Sequence, residues 1–304
     1  MAAETTWRGR PNSFEMKPAP FHYHAPTTVE EAVALLAEHA PDDGRVLAGG
    51  QSLVPTMAFR LARPAHLIDI NGVAGLDRLE VEGGRLCIGA TVRHAAFERP
   101  AVEGTLGLLM SEVSRHIAHR PIRTRGTFCG SIAHADPASE WCALAATLDA
   151  EMMAISTRGV RLISAPDFFK GLMTTALEED ELLAEVRLPM LRPDVQFGFC
   201  EFNRRAGDFA IAMAYAIYLL QDGVIAESRI AIGGAEAMPR RIVEAEYALK
   251  GRQPTSDSFM LAAEIAAKKV DPLDDEHTSA GYRRDLVLAM VRRALEQARD
   301  RGAA

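Results

Sequence analysis

The sequence predicts an α+β protein that contains more than one compact unit. Its 304 residues exceed the roughly 100–200 residues of a common domain, so two or three hydrophobic cores are expected. Strand and helix patterns alternate in the first part of the chain, whereas a group of strands precedes a group of helices in the last third. That second order is typical of a sheet with helices packed on one face.

Composition and charge narrow the class of protein. Hydrophobic residues make up 48% and charged residues 25% of the chain, which is typical of an ordinary globular protein. The 34 Lys and Arg against 41 Asp and Glu leave a net charge of −7, and this acidity disfavours a nucleic-acid partner. No apolar run approaches the roughly 20 residues that cross a bilayer, so we expect no membrane span.

The cysteines indicate reduced thiols rather than metal ligands. Zinc and iron–sulfur sites collect cysteines at short spacings such as C-x-x-C, and this chain has no such pair. We therefore expect a cytoplasmic protein that holds no cluster of its own. The four cysteines are Cys87, Cys129, Cys142 and Cys200.

After a polar N-terminal stretch, the first predicted elements form a βαβ-like unit. Residues 1–15 contain no apolar stretch that could act as a signal peptide, so a flexible extension is expected. The S/T-x-x-E spacing at 28–31 predicts a capped helix over 29–40. Apolar runs at 45–48 and 66–70 predict two strands.

Strands outnumber helices in the rest of the chain until about residue 240. The middle part predicts strands over 85–92, 151–157, 160–164 and 182–188, and helices over 103–120 and from Asp136-Pro137 to Asp149. The last part predicts strands over 195–205, 209–220 and 224–232, then helices over 241–250, 257–269 and 282–299. Asp222-Gly223 is a strong two-residue hairpin signal between two of these strands.

Two glycine-bearing segments are the features of the sequence that most suggest a ligand-binding site. In the first, a buried strand stops at Gly49-Gly50 and Ser52 follows. Consecutive glycines let main-chain N–H groups converge on phosphate oxygens, although on this pattern alone a plain turn is the commoner explanation. In the second, Gly126 and Gly130 precede a capped helix. These glycines either allow tight packing or let this segment bind a diphosphate from the side opposite the first segment. The chain contains neither a P-loop nor a G-x-G-x-x-G motif, which disfavours the ordinary nucleotide-binding folds.

Both segments resemble one known family. The stretches 48–55 (AGGQSLVP) and 126–137 (GTFCGSIAHADP) resemble the paired FAD motifs of the flavoprotein (medium) subunit of molybdenum hydroxylases, such as carbon monoxide dehydrogenase and xanthine dehydrogenase. The stretches 67–71, 88–91 and 204–210 add further matches. The resemblance extends from residue 16 to the end of the chain, and the two loops together are highly specific.

The resemblance implies a fold and a set of FAD-binding residues. The fold is a two-part FAD-binding domain of the vanillyl-alcohol-oxidase type over 16–75 and 76–192, followed by a C-terminal α+β domain over 193–304. The backbone of both loops would hold the diphosphate, with Ser52 and Thr127 as hydroxyl donors. The residues assigned to FAD are Leu47, Ala48, Gly49, Gly50, Gln51, Ser52, Leu53, Ile117, Thr127, Phe128, Cys129, Gly130, Ser131, Glu140 and Leu183.

Three of these residues have particular roles in the family, and the chain departs from the family at two places. Glu140 matches a carboxylate near the adenosine or ribose, and Ile117 and Leu183 match apolar contacts of the flavin nucleotide. Cys129 stands where a second paired glycine is usual, and its Cβ either fits or displaces the diphosphate. Cys200 and Glu201 stand where a basic residue often precedes the Arg-Arg motif.

The family resemblance implies an oxidoreductase that transfers electrons. A large subunit would carry a molybdopterin-type molybdenum cofactor, and a small subunit would carry [2Fe–2S] clusters whose electrons pass to the FAD of this chain and then to an external acceptor. Such subunits would assemble as a dimer of heterotrimers. No side chain of this chain would be catalytic, and the substrate would be chosen on the large subunit.

Two other functions stay open, and no metal is expected in this chain. A stand-alone flavin oxidoreductase of the same fold would need its own substrate pocket, and a non-catalytic assembly scaffold would have lost its FAD loops. His116 and His119 lie three residues apart, and His134 follows the second loop. Partly exposed helix histidines are much commoner than metal ligands, so we assign no metal site.

Overall fold

A computed structural model describes residues 17–302, and the predicted flexible extension over 1–15 lies outside these residues. The first sheet has three parallel strands in the order β1-β3-β2. Its elements are β1 (His22–His24), α1 (Val29–His39), β2 (Gly44–Leu47), α2 (Leu53–Ala58) and β3 (His66–Asp69). The predicted βαβ-like unit is confirmed, and α2 is an element that the sequence analysis did not assign.

The capping box at the start of α1 is confirmed. Thr28 Oγ1 accepts a hydrogen bond from the Glu31 amide at 3.2 Å, while the Glu31 carboxylate accepts one from the Thr27 amide at 2.8 Å. Both bonds take up main-chain donors that a helix start leaves without partners. The buried Ala32, Val33 and Leu36 form the apolar face of this helix.

The second sheet is antiparallel with the order β4-β5-β10-β6-β7. Its strands are β4 (Leu79–Glu82), β5 (Arg85–Gly89), β6 (Glu151–Ser156), β7 (Gly159–Ser164) and β10 (Leu182–Pro189), and β8 (Phe169–Gly171) pairs with β9 (Thr174–Thr175) in a small hairpin. The helices of this part are α3 (Thr105–Ser114), α4 (Arg120–Arg123), α5 (Phe128–His134), α6 (Glu140–Thr147) and α7 (Ala165–Phe168).

Two predicted helices of this part have different bounds. The single helix predicted over 103–120 covers only Thr105–Ser114, and the left-handed Ala118 (φ +41°) lies between it and α4. The helix predicted from Asp136 begins at Glu140 instead. Asp136 Oδ1 accepts from the Ala138 amide at 2.9 Å and so caps a turn rather than the helix.

The third sheet and its helices follow the predicted order of strands and then helices. The strands β11 (Val195–Phe202), β12 (Ala212–Gln221), β13 (Val224–Gly233) and β14 (Arg240–Arg241) are antiparallel neighbours in sequence order. The helices α8 (Val243–Leu249), α9 (Ser256–Lys269) and α10 (Ala280–Gly302) share an apolar core with one sheet face. Asp222 (φ +51°) and Gly223 (φ +77°) form the predicted hairpin turn, in which both central residues are left-handed.

The opposite face of the third sheet packs on the first part of the chain. Phe197, Phe199 and Tyr215 belong to the core that also includes both other sheets. The Tyr215 hydroxyl donates to the Glu140 carbonyl at 2.9 Å, which joins β12 to α6. The predicted α+β class with an antiparallel C-terminal sheet is confirmed. Among residues 17–302 no helix has the length and apolarity needed to cross a membrane.

Candidate functional site

The two glycine loops lie in direct contact. Gly49 directly follows Ala48 after β2, and a Cβ built on Gly49 would lie 2.4 Å from the Arg125 carbonyl oxygen and 2.6 Å from Gly126 Cα. Real Cβ atoms do not approach other atoms so closely, so residue 49 has to be glycine for the loops to meet. Segments about 75 residues apart in the sequence therefore form one continuous edge.

The first loop exposes a row of main-chain donors. Gly50 has φ of +69°, a left-handed conformation that turns the chain from β2 into α2. Within residues 17–302, no hydrogen bond takes up the amides of 49–53, whereas the Val54 amide donates to the Gly50 carbonyl at 3.0 Å. Ser52 precedes α2 without using its side chain as a cap. The loop therefore presents several N–H groups and one hydroxyl to a ligand that accepts hydrogen bonds.

The second loop is the start of a short helix, α5, rather than an irregular turn. Thr127 Oγ1 accepts from the Gly130 amide at 3.0 Å and caps α5, which leaves the hydroxyl proton available for donation. The Phe128 amide donates to the Val92 carbonyl at 3.0 Å. The Phe128 ring lies in the core, 5.0 Å from the Trp141 ring, so only its main chain faces the loop.

Cys129 fits the second loop without distorting it. Its thiol donates to the Ile88 carbonyl at 3.3 Å, and the residue is 2% exposed. The side chain is thus directed into the second sheet, and burial raises the pKa of the thiol well above its usual value. The β-carbon that replaces the usual glycine is accommodated by the core.

Asn71 and Arg93 tie the two loops together, and we call this pair the loop bridge. The Asn71 side-chain amide donates to the Ala48 carbonyl at 2.8 Å. The Arg93 guanidinium donates to Asn71 Oδ1 at 2.6 Å and also to the Arg125 carbonyl, directly before the second loop. Arg93 was missed by the sequence analysis, because nothing in its local pattern marks it as a neighbour of either loop.

One cavity lies beside the loops, and a larger one lies next to the residues that follow α5. The smaller, of about 290 Å³, is lined by four of the residues assigned to FAD, namely Ala48, Cys129, Gly130 and Leu183. The larger, of about 840 Å³, lies between the residues that follow α5 and the third-sheet loop over 204–210. Met173 lines both cavities, and residues of α5 line the smaller one.

Comparison with known proteins identifies the family. The model of the FAD binding domain in molybdopterin dehydrogenase matches residues 19–191, and the model of the CO dehydrogenase flavoprotein C-terminal domain matches residues 197–298. The chain belongs to the medium-subunit family of molybdenum hydroxylases. The predicted family, the two-part fold, the oxidoreductase class and FAD as the cofactor of this chain are thereby confirmed.

Close relatives span almost the whole chain. The nicotine 6-hydroxylase medium subunit of Paenarthrobacter nicotinovorans is 39% identical and covers 93% of this chain and 99% of its own. The caffeine dehydrogenase subunit beta of Pseudomonas sp. (strain CBB1) is 38% identical over 94% of this chain and 97% of its own. The solved carbon monoxide dehydrogenase of Hydrogenophaga pseudoflava matches with a TM-score of 0.89 and 35% identity, over 93% of this chain and 99% of that chain.

As a medium subunit, the chain presents donors that suit the diphosphate of FAD. A diphosphate carries only acceptor oxygens and negative charge, and the loop edge offers main-chain N–H groups and hydroxyls. Leu47 ends β2, Leu53 begins α2, and Gln51 Nε2 donates back to the Gly49 carbonyl at 3.1 Å. Ser131 lies in the first turn of α5, on the partly exposed side of the loop.

Ile117 and Glu140 are both buried. The Ile117 carbonyl accepts from the Arg123 guanidinium at 2.9 Å, and the residue is 7% exposed. Glu140 begins α6 and is also 7% exposed. Neither of these residues lines the two cavities described above.

Glu140 faces a second buried carboxylate. Burial and the nearby negative charge of Glu201 raise the pKa of Glu140 from its ordinary value of 4.5 to about 8. Glu201 Oε1 lies 3.1 Å from His116 Nδ1 and accepts from Asn203 Nδ2 at 2.9 Å. The other oxygen, Glu201 Oε2, is buried and has no hydrogen-bond partner among the described residues. At neutral pH the Glu140 carboxyl is therefore mostly protonated.

Replacement of Glu140 by Gln is expected to flatten the pH dependence of stability. Between pH 4.5 and 8 the folded chain holds a proton on Glu140 that the unfolded chain has released, so stability falls as the pH rises through this window. Gln has no such proton to lose. We expect the drop in unfolding free energy from pH 5 to pH 8 to be smaller by about 3 kcal/mol in the variant.

The measurement is urea unfolding of the flavin-free chain at both pH values, so that cofactor binding does not enter. Glu178→Gln, at an exposed position, is the control and should follow the parent. Equal pH dependence in the parent and in Glu140→Gln would show that Glu140 is ionised in the folded chain at neutral pH.

Proposed function

We propose that this chain is the FAD-carrying electron-transfer subunit of a heteromeric molybdenum hydroxylase. Its partners would be a large subunit with a molybdopterin-type molybdenum cofactor and a small subunit with [2Fe–2S] clusters, assembled as a dimer of heterotrimers in the cytoplasm. FAD supplies a carrier that exchanges one or two electrons, so it suits a junction between clusters and an external acceptor. The contact between the two donor-rich loops is the observation that carries the proposal.

The residues of the loop edge would hold the cofactor by its diphosphate. We assign the binding to the backbone of 48–53 and 127–131, chiefly through the amides of 49–53, Thr127 and Cys129, with the Ser52 and Thr127 hydroxyls as further donors. The hydroxyl proton of Thr127 is available because its oxygen already accepts from Gly130. The smaller cavity, which Ala48, Cys129, Gly130 and Leu183 line, would take part of the dinucleotide.

Other assigned residues would shape the surroundings of the nucleotide. Leu183 lines the smaller cavity and offers an apolar contact, and Cys129 borders the same cavity while its thiol bonds to Ile88. Ile117 would be a further apolar contact of the flavin nucleotide, and Glu140 would lie near the adenosine or ribose part.

Purification of the chain with and without partner subunits tests the proposal. Alone, the chain should be yellow, contain one FAD, and show no substrate-dependent flavin reduction. In a complex with a molybdenum subunit and a cluster subunit, the flavin should be reduced by the substrate of the large subunit. Substrate turnover by the isolated chain would instead support a stand-alone flavin oxidoreductase, and a colourless chain in both preparations would support an assembly scaffold.

A further inference from the structure

Four histidines meet at one end of the first sheet. His22 and His24 lie two residues apart on β1 and therefore share one face of that strand. His66, the first residue of β3, is the register partner of His22. His39 is the last residue of α1. Three elements that are separate in the sequence thus bring imidazoles together, and we call His24, His39 and His66 the histidine triad.

The rings of the triad are in close contact. The His39 and His66 ring centroids are 3.9 Å apart with planes 11° from parallel, and the His24 and His39 centroids are 4.6 Å apart. His24 Nε2 lies 3.0 Å from His66 Nδ1. One ring nitrogen of each histidine lies within 4.8 Å of the corresponding atoms of the other two.

These separations suit a shared metal ion. Two nitrogens bound to a tetrahedral Zn²⁺ at 2.0–2.1 Å lie about 3.3 Å apart. The His24–His66 pair is already that close, and His39 needs only side-chain rotation to reach the same point. All three residues are partly buried, so a metal ion between them would be enclosed on several sides and still be accessible from solvent.

The backbone under the triad is firmly placed. His66 pairs with Gly44 in the parallel ladder of β2 and β3, and Gly44 packs against the main chain of His39.

We propose that His24, His39 and His66 bind one transition-metal ion that fastens β1 and α1 to β3. An all-imidazole set suits Zn²⁺, Cu²⁺ or Ni²⁺ rather than Mg²⁺ or Ca²⁺, which prefer oxygen ligands. The His22 ring stacks on His66 at 5.1 Å and is the nearest further imidazole for a fourth position. The site is structural, and it lies at the end of β2 opposite the loop that follows Leu47.

Zinc titration of the full, flavin-loaded chain tests this site. After removal of metals with a chelator, the chain should bind one Zn²⁺ with a dissociation constant in the micromolar range or below, and Zn²⁺ should raise its melting temperature. Co²⁺ in place of Zn²⁺ should give visible bands of a four-coordinate ion beyond the flavin absorption. His24→Asn, His39→Asn and His66→Asn should each weaken Zn²⁺ binding at least a hundredfold.

The control is His277→Asn, which changes an exposed histidine of the C-terminal part. It should bind Zn²⁺ as the parent does, and the flavin content of every variant should stay unchanged. If His66→Asn does not fold, His24→Asn and His39→Asn decide the question, because His24 ends the edge strand β1 and His39 ends the helix α1. The proposal is overturned if no Zn²⁺ binds at micromolar concentration, or if the triad variants bind it as tightly as His277→Asn.

Discussion

Replacement of Gly50 by Asp is expected to abolish FAD binding to this chain. The new carboxylate would lie on the loop whose free amides we assign to the diphosphate, and its negative charge would repel the charge of the diphosphate. A Cβ at residue 50 would also lie 3.1 Å from Val54 Cγ2 and 3.2 Å from Leu47 Cδ1. We expect affinity for FAD to fall more than a hundredfold, measured as flavin content after purification and by titration of the flavin-free chain.

Gly50→Asn is the matched control for this change. Asn has nearly the same size as Asp, tolerates the left-handed conformation at φ of +69° and carries no charge. The Asn variant should keep measurable FAD binding, and the Asp variant should have none. If both variants retained the full complement of flavin, the diphosphate would have to bind elsewhere.

Replacement of Arg93 by Met is expected to weaken FAD binding about thirtyfold or more. The change keeps most of the apolar stem and removes two hydrogen bonds, to Asn71 Oδ1 and to the Arg125 carbonyl. Hydrogen bonds from a charged donor contribute roughly 1.5–3 kcal/mol each, and a change of about 2 kcal/mol corresponds to a thirtyfold change in affinity. We expect this loss of affinity to come from a change in the relative position of the two loops, because none of the assigned FAD-binding residues is altered.

Titration of the flavin-free chain with FAD measures this effect. Arg93→Lys should have an intermediate affinity, since an ammonium group reaches one of the two acceptors. Arg192→Met removes an exposed arginine that pairs with Asp194 at the surface, and it should bind FAD normally. An unchanged dissociation constant in Arg93→Met would mean that the loops keep their contact without the loop bridge.

Local signals in the sequence were sufficient for many of the elements. The capping box at Thr28 and the hairpin at Asp222-Gly223 depend on residues within one turn of each other, and both are present as predicted. The resemblance of the two glycine stretches also led to the correct family. In these cases the decisive interactions connect near neighbours in the chain, so the pattern of residue types is enough.

The sequence mispredicted where a helix begins when more than one nearby residue could cap it. Asp136 and Ser139 are both good N-cap residues, and the chain begins α6 after Ser139. Thr127 caps α5, a seven-residue helix inside a segment that reads as a glycine loop. Short helices have little periodicity to detect, because most of their stability comes from packing.

The sequence by itself determined the family, the cofactor class and the succession of strands and helices, because these depend on backbone preferences and motifs of adjacent residues. Only the tertiary structure decided that the two glycine loops touch, that Arg93 and Asn71 join them, and that histidines from β1, α1 and β3 meet. Each of these arrangements needs sheet pairing between distant segments. Such pairing is set by the packing of the whole core, which no local window of residues contains.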